Sequence, residues 1–429
     1  VVTVKTNRFY SPFDFELLHP EEGRHRHSRT AFQQDRDRII YTSSFRRLQA
    51  KTQVFFAGEY DFYRTRLTHS IEVAQIGRSI AHFLKTENPL LGDDFFIDPD
   101  LVEAVCLAHD IGHPPFGHAG EKTINRLMEA YGGFEGNAQT LRMITETIYS
   151  SPRGREGMNP TRAFVDGVMK YKKLYRDMFV DGRQPPNHFL YDEQDPYVRF
   201  VLGDVPEALR HADDLNRFRS IECQIMDWAD DTAYSLNDLI DGIGSGLMTS
   251  AKIEKWAADR HLAGHGADQI NVVLKAISEK SLVRVFSRKI GEFIRACRLE
   301  EQTNFMSATT SRYAYRLEID PDIRKTARLY ADLSREIVFC SPQIYQLEYK
   351  ADFMLARLFD AFIEHYVRNG ESRMVLLPTD TETYVRTEPD PLRRARRVCD
   401  YITGMTDGFA IRTYKRLFDP DFGSIVDLV

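Results

Sequence analysis

The chain has 429 residues, 42% of them hydrophobic and 28% charged, with a formal net charge of −6. This is the balance of an ordinary folded protein, long enough for two or three average domains or one large helical one, and it excludes binding of nucleic acid through bulk positive charge. No apolar run approaches the ~20 residues that span a bilayer, Val1–Arg8 has no leader-like apolar stretch, and five scattered cysteines without a CxxC pair offer neither a disulfide framework nor a thiolate zinc site, so the expected setting is reducing and cytoplasmic, with no membrane contact.

Helical periodicity dominates, and the fold class it predicts is all-α. Between Arg66 and Leu84, the residues Ile71, Ala74, Ile76, Ile80 and Phe83 form an apolar stripe near the helical repeat. Asp98-Pro99-Asp100 is a helix start, with Asp98 as N-cap and Pro99 in the first turn. The helix it opens runs from Leu101 to about Asp110 and stops at Gly112 and Pro114. Further helices are predicted over Ala119–Tyr131, Asn137–Tyr149, Pro160–Phe179, Pro206–Ile240 (one or two), Ile270–Ala296, Ile323–Tyr366 with a break near Ser341-Pro342, and Pro391–Leu417. Strand signals are confined to Tyr313–Glu318 and Arg373–Leu377, enough for a small hairpin or edge sheet at most. Loops fall at Ser151–Asn159, Asp181–Asp195 and Gly242–Ser250, and the last is the expected boundary between two regions.

Basic residues gather locally at Arg24, Arg26 and Arg29; at Arg46, Arg47 and Lys51; at Lys170, Lys172 and Lys173; and at Arg393, Arg394, Arg396 and Arg397. Local clusters in an acidic chain suit a bound polyanion of limited size, such as a nucleotide triphosphate. The competing reading is solvated helix faces paired with acids, and for the Arg393–Arg397 run that reading is the preferred one.

The chemistry-bearing residues converge on one string. From His109 to Glu121, three histidines, one aspartate and one glutamate fall within thirteen residues, interrupted by Pro114, Pro115 and three glycines. Packing alone has no need of that composition. His69, near a helix start, and Asp230, in a carboxylate-rich helical segment, most economically complete a single metal site with His109 and Asp110. A mixed imidazole and carboxylate shell suits Mn²⁺, Mg²⁺, Fe²⁺ or Zn²⁺. Asp230, Tyr234 and Asp238 follow at i, i+4 and i+8, so they are expected on one helix face. Carboxylates amid Trp228, Ala229, Ala233 and Leu236 are costly if buried without a partner, which a metal or a hydroxyl-bearing ligand supplies. The alternatives are a structural histidine and a solvated acidic stripe.

The order His…His-Asp…Asp, with its flanks, resembles the HD-domain phosphohydrolase superfamily, and within it the deoxynucleoside triphosphate triphosphohydrolases, the dGTPase-like enzymes. The resemblance rests on Phe45-Arg46-Arg47-Leu48-Gln49-Ala50-Lys51-Thr52-Gln53-Val54-Phe55, Thr65–Ser70, the His109–Glu121 string, Phe134–Gln139, Ala229–Tyr234 and Gly404–Asp407. It implies an HD-domain core over residues 1–245, with an N-terminal helical segment, and a helical region over 246–429 that packs on the core and makes subunit contacts. His69, His109, Asp110 and Asp230 match the family's metal ligands, with Asp231 the alternative one position on. His118 matches the histidine acting at the α-phosphate, Glu121 its orienting partner, and His113 a second phosphate-side histidine. Arg66 and Lys170 resemble phosphate contacts. Gln53 and Asp238 match residues that bond the 3′-hydroxyl, Tyr234 the ring that sits where a 2′-hydroxyl would be, and Asn137 a position near the α-phosphate.

The activity so implied is metal-dependent conversion of a dNTP and water to a deoxynucleoside and inorganic triphosphate, with Mn²⁺, Mg²⁺ or Fe²⁺ as cofactor. Relatives of this kind form homo-oligomers from dimer to hexamer, and a nucleotide or single-stranded DNA serves some of them as effector. Two other readings compete. One is a broader HD phosphohydrolase acting on nucleoside monophosphates or signalling nucleotides. The other is a catalytically silent protein that binds nucleotide or single-stranded DNA.

Overall fold

The computed structural model describes residues 7–20, 28–54, 64–151, 154–203, 205–206, 209, 213–369 and 374–422. Arg24, Arg26, Phe55 and Arg373, as well as most of Val1–Arg8, lie outside that set. The architecture is all-α, as expected. Its principal helices are α1 (Ala31–Ile40), α2 (Arg66–Glu87), α3 (Pro99–Ala108), α4 (Gly117–Leu127), α5 (Gly136–Arg142), α6 (Arg162–Val168), α7 (Ile221–Gly244), α8 (Pro321–Ser334), α9 (Pro342–Ile363), α10 (Pro391–Thr403) and α11 (Asp407–Phe418). Among the described residues, and apart from isolated bridges, the strands form two antiparallel pairs: β1 (Tyr149–Ser151) with β2 (Gly154–Glu156), and β3 (Cys297–Glu301) with β4 (Tyr315–Ile319). No helix among these residues is long and apolar enough to cross a membrane.

Helix starts follow capping chemistry. Thr30 and Thr65 each accept a hydrogen bond from the backbone three residues on, within capping boxes, and Asp98 accepts from the amide of Asp100 ahead of Pro99. In α2 the buried apolar set is Val73, Ala74, Ile76, Gly77, Ile80, Ala81 and Leu84. Ile71, placed on the stripe by periodicity, is instead exposed. That buried face packs α2 against α3 and α7, and α3 in turn against α1. On the other side α9 packs against α4, α10 and α11, while α8 lies along α7. One apolar cluster is continuous from Phe9 to Ala410.

Several sequence expectations require correction. The helix read over Pro160–Phe179 ends at Val168. Beyond it, the amides of Lys172 and Lys173 donate to the side chain of Asn216, and Leu190 N donates to Lys173 O, so tertiary partners replace the helical ones. Pro391–Leu417 is two helices, because Thr406 caps a new one at Asp407. Ile270–Ala296 likewise divides at Lys280, which takes a left-handed turn with φ +51°. The strand at Tyr315–Ile319 pairs with Cys297–Glu301, which carries no strand signal in the sequence, rather than with the run at residues 374–377. There the amides of Leu376 and Leu377 donate to Tyr366 Oη. The loop expected at Ser151–Asn159 begins with the β1–β2 hairpin.

The C-terminal region is hydrogen-bonded directly into the loop between α3 and α4. Phe116 has φ +65°, a left-handed conformation that a bulky side chain adopts only when held there. Its amide donates to Asp407 Oδ1 at 2.9 Å, and Asp407 Oδ2 accepts from Thr52 N at 2.8 Å and from the Thr52 hydroxyl. Asp407→Ala leaves buried donors unpaired and is expected to cost about 2–4 kcal/mol of unfolding free energy. Chemical denaturation measures this directly, and an unchanged midpoint would mean that these bonds do not hold the loop.

Candidate metal centre and active site

Local structure brings distant residues together. Gly112 lets α5 approach the end of α3: a Cβ at position 112 would lie 2.2 Å from Thr140 N and 2.4 Å from Gly136 O. The Thr140 hydroxyl donates to His109 O and accepts from Gly112 N, both at 3.1 Å. His109 and Asp110 are thereby fixed at the end of α3, opposite the first turn of α2, which carries Arg66 and His69, and the middle of α7, which carries Asp230.

These residues form one cluster. His69 Nε2 lies 3.0 Å from Asp230 Oδ1. His109 Nε2 is 3.8 Å from the same oxygen and 3.6 Å from Asp110 Oδ1. His109 Nδ1 is 2.6 Å from Cys106 O, so it carries the proton and donates to that carbonyl. Nε2 is then left as a buried lone pair with no hydrogen-bond partner. A carbonyl that fixes one ring nitrogen in this way prepares the other for a cation. Candidate ligand atoms of His69, His109 and Asp110 lie within 4.8 Å of one another. The donor set and the orphaned nitrogen fit a divalent ion. The contacts from α7 to His69 and His109 are made by Asp230, while its neighbour Asp231 is exposed.

Asp110 is fully engaged. Its Oδ2 accepts from Arg66 Nη1 at 2.6 Å, and its Oδ1 faces His113 Nδ1 at 3.0 Å. Burial raises its pKa, but the charge of Arg66, followed by those of His113 and His109, holds it well below the usual carboxylate range. For Asp230, burial is likewise outweighed by the hydrogen bond from His69 and the charges of His109, His69 and Lys170, which lower its pKa.

A second group adjoins the first. His118 Nδ1 lies 3.2 Å from Glu121 Oε2, and His113 Nε2 lies 3.9 Å from the same oxygen. The His118 side chain is 66% exposed, whereas Glu121 is largely enclosed and also accepts from Gly136 N at 2.8 Å. Against a burial penalty, the hydrogen bond from His118 and the charges of His113 and His118 draw Glu121 down to about 2. Neighbouring Glu135 goes the other way: burial and the charge of Glu121 push it up to about 7.

All of this lines a cavity of about 250 Å³ that also takes in Gln53, Arg66, Lys170, Asn137 and Tyr234. Gln53, His118, Glu121, Asn187 and Tyr234 border in addition a larger cavity of about 470 Å³, whose far wall includes Phe339, Ile344 and Tyr345. Gln53 Oε1 is a buried acceptor without a partner. Asn137 donates to Glu135 Oε1 at 2.8 Å. Lys170 pairs with Asp227, which also receives Arg219 Nη1 at 2.6 Å. Although burial opposes its charge, Asp227 carries the Lys170 pKa well above the ordinary value. Asp238 lies on the same helix, α7, as Asp230 and Tyr234. It is buried with an unpartnered Oδ2, but it lines neither cavity.

The basic clusters are largely structural. Lys51 is buried and donates to His113 O at 2.5 Å and Thr403 O at 2.9 Å, and burial, with the charges of Arg47 and Arg66, pushes its ammonium down to about 7. Arg47 donates to Gly404 O, and Lys172 is buried 3.3 Å from Asp166. In the Arg393–Arg397 run, Arg394 and Arg397 bond backbone carbonyls, and Arg396 is buried with its guanidinium 3.7 Å from the ring centroid of Tyr191. A solvated face describes Arg393 alone, at 69% exposure. Sequence reasoning also missed Glu135, Tyr171, His188 and Met226 on the cavity wall. Glu135 sits in the Phe134–Gln139 segment, a recognisable motif, whereas His188 comes from an aperiodic loop that gives no signal.

Comparison with known proteins agrees with this geometry. The HD domain family model matches residues 66–158, and the phosphohydrolase-associated domain model matches residues 317–416. The chain is 34% identical to a deoxyguanosinetriphosphate triphosphohydrolase-like protein of Shewanella sediminis (strain HAW-EB3), over 96% of this chain and 97% of that protein. It is 35% identical to the protein of the same description from Shewanella loihica (strain ATCC BAA-1088 / PV-4), with 96% and 98% covered, and 36% identical to that of Shewanella sp. (strain ANA-3), also with 96% and 98% covered. With the His-Asp cluster in place and relatives matched almost end to end, this chain belongs to the dGTPase-like family of HD-domain phosphohydrolases.

Proposed function

We propose that this chain hydrolyses deoxynucleoside triphosphates at the α-phosphate, releasing the deoxynucleoside and inorganic triphosphate. The observation that carries the reading is the adjacency of two groups on one cavity wall: the His69, His109, Asp110 and Asp230 cluster, and the His118–Glu121 pair. The four residues of the cluster would hold a divalent cation, Mn²⁺, Mg²⁺ or Fe²⁺. When bound, such an ion polarises a phosphoryl oxygen and lowers the pKa of water.

The protein's own residues supply the rest. Hydrolysis adds hydroxide to the α-phosphorus and returns a proton to the leaving 5′-oxygen. His118, oriented through Nδ1 by Glu121, is assigned the proton movement, and His113 binds on the phosphate side. Arg66 and Lys170 face the triphosphate, with Asn137 near the α-phosphate. Gln53 offers its unpartnered acceptor to the 3′-hydroxyl, and Tyr234 packs on the sugar where a 2′-hydroxyl would clash. Asp238, buried with an unpartnered Oδ2, is a further candidate for the 3′-hydroxyl. The base is assigned to the larger, more apolar cavity, without a commitment to guanine. The same reading places the core in residues 1–245 with 246–429 packed on it, in a cytoplasmic homo-oligomer. A nucleotide or single-stranded DNA effector is a further part of it, although the Arg393–Arg397 run is largely committed elsewhere.

Product analysis tests the reaction. With dNTP and Mn²⁺, equimolar deoxynucleoside and tripolyphosphate are expected. Orthophosphate or pyrophosphate without tripolyphosphate, or turnover of monophosphates alone, would favour the broader phosphohydrolase. His118→Ala should lower kcat by ~10²–10⁴-fold while the cation at the His69–Asp230 cluster is retained, as metal analysis can determine. Normal kcat in that variant would reassign the proton carrier. Tyr234→Ala should narrow the ratio of kcat/KM for dNTP over rNTP by about tenfold or more, and an unchanged ratio would place sugar selection elsewhere.

A further inference from the structure

We propose that His113 Nε2, His118 Nδ1 and Glu121 Oε2 form a second cation site, separate from the His69–Asp230 cluster, that takes zinc or a similar late first-row ion and silences the His118–Glu121 pair when filled. One ligand atom from each of the three residues lies within 4.8 Å of those of the other two. Two of the separations are 3.2 and 3.9 Å. A tetrahedral ion with bonds of ~2.0–2.1 Å sets its ligand atoms about 3.3 Å apart, so the His118–Glu121 spacing already matches and His113 has to move closer.

The surroundings of the three donors bear on the role. His113 Nδ1 lies 3.0 Å from the Asp110 carboxylate without forming a hydrogen bond to it, and the tautomer with its proton on Nδ1 offers Nε2 as a lone pair. Glu121 Oε1 is occupied by Gly136 N, which leaves Oε2 for an ion. His118 and Glu121 stand at i and i+3 on α4, and the exposed His118 ring leaves a fourth position open to water. The backbone at Gly136 keeps the space clear: a Cβ there would come within 3.0 Å of both Glu121 Oε1 and His113 Cε1. A cation would also offset the repulsion between Glu121 and Glu135, the residue whose pKa is raised to about 7.

Two imidazole nitrogens and one carboxylate oxygen suit Zn²⁺ or Co²⁺, whereas Mg²⁺ prefers an oxygen octahedron with retained water. Filling the site requires neutral His118 with its proton moved from Nδ1 to Nε2. The ring then cannot work as the proton carrier, because its Glu121-facing nitrogen holds the ion. The inhibitory consequence rests on the role proposed above for His118, whereas the binding itself does not.

Equilibrium dialysis of the whole protein against excess Co²⁺, with metal counted by mass spectrometry, tests the site. Wild type should take up two ions per chain, and His118→Ala, an exposed substitution, should take up one. Glu121→Gln, checked for fold by circular dichroism, should also take up one. His69→Ala should keep the second ion. Saturation of wild type at one ion, or two ions in His118→Ala, would overturn the site. In the activity arm, turnover of a dNTP should rise with the first Co²⁺ equivalent and fall at least tenfold with the second. Binding of the second equivalent without that fall would overturn the silencing. If no dNTP is turned over at any loading, the proposed reaction fails while the ion count still decides the site.

Discussion

The buried pair formed by Arg66 and Asp110 is the constraint around which the site is built. A carboxylate so enclosed is expensive unless its charge is matched, and removing one member of such a pair costs more than the pair itself is worth. Here the guanidinium, 2% exposed, occupies one carboxylate oxygen, and the other is left to His113 and to the space in front of His109. Asp110 is thus kept ionised and rotationally fixed before any cation or substrate arrives. Arg66 is held in turn by Thr52 O at 3.0 Å, and Thr52 by Asp407. The orientation of one carboxylate therefore depends on a relay that crosses most of the chain.

That relay makes the C-terminal region more than a scaffold. Asp407 binds the amide of the left-handed Phe116 and both donors of Thr52, while Lys51 joins the carbonyls of His113 and Thr403. The loop carrying His113 and leading to His118 is pinned at both ends by groups near the α10–α11 junction. The HD domain match ends at residue 158 and the phosphohydrolase-associated match begins at 317, yet the site's geometry draws on both. Packing of the core could survive loss of these bonds, but the positions of two histidines could not.

What could be read from the sequence had local causes. Asp98-Pro99, Thr65 and the break at Ser341-Pro342 are capping and proline effects that act within one turn, and the structure places helix ends there. The grouping of His69, His109, Asp110 and Asp230 was legible chiefly through the resemblance of their flanks to a known family, since burial cost alone left a structural histidine and a solvated acidic stripe open. What failed had tertiary causes. Helix α6 stops early because Asn216 captures two amides, and β3 forms because Tyr315–Ile319 needs an edge partner. Arg396 is buried on Tyr191, a contact between residues far apart in the chain.

The charge balance of the smaller cavity bears on how it works. Among the described residues, the carboxylates of Asp110, Glu121, Glu135 and Asp230 line it, against the fixed cations of Arg66 and Lys170. Both cations are already engaged, Arg66 by Asp110 and Lys170 by Asp227. A polyphosphate entering such a space meets little uncompensated positive charge, and in a low-dielectric enclosure the repulsion from Asp230 and Glu121 is weakly screened. The partial protonation favoured at Glu135, pushed up to about 7, relieves one charge. On the proposed reading, a cation held at the His69–Asp230 cluster would add to the attraction that Arg66 and Lys170, each already paired with a carboxylate, supply only in part. The exposed His118 stands at the junction with the larger cavity, where the anionic and apolar halves of a nucleotide would part.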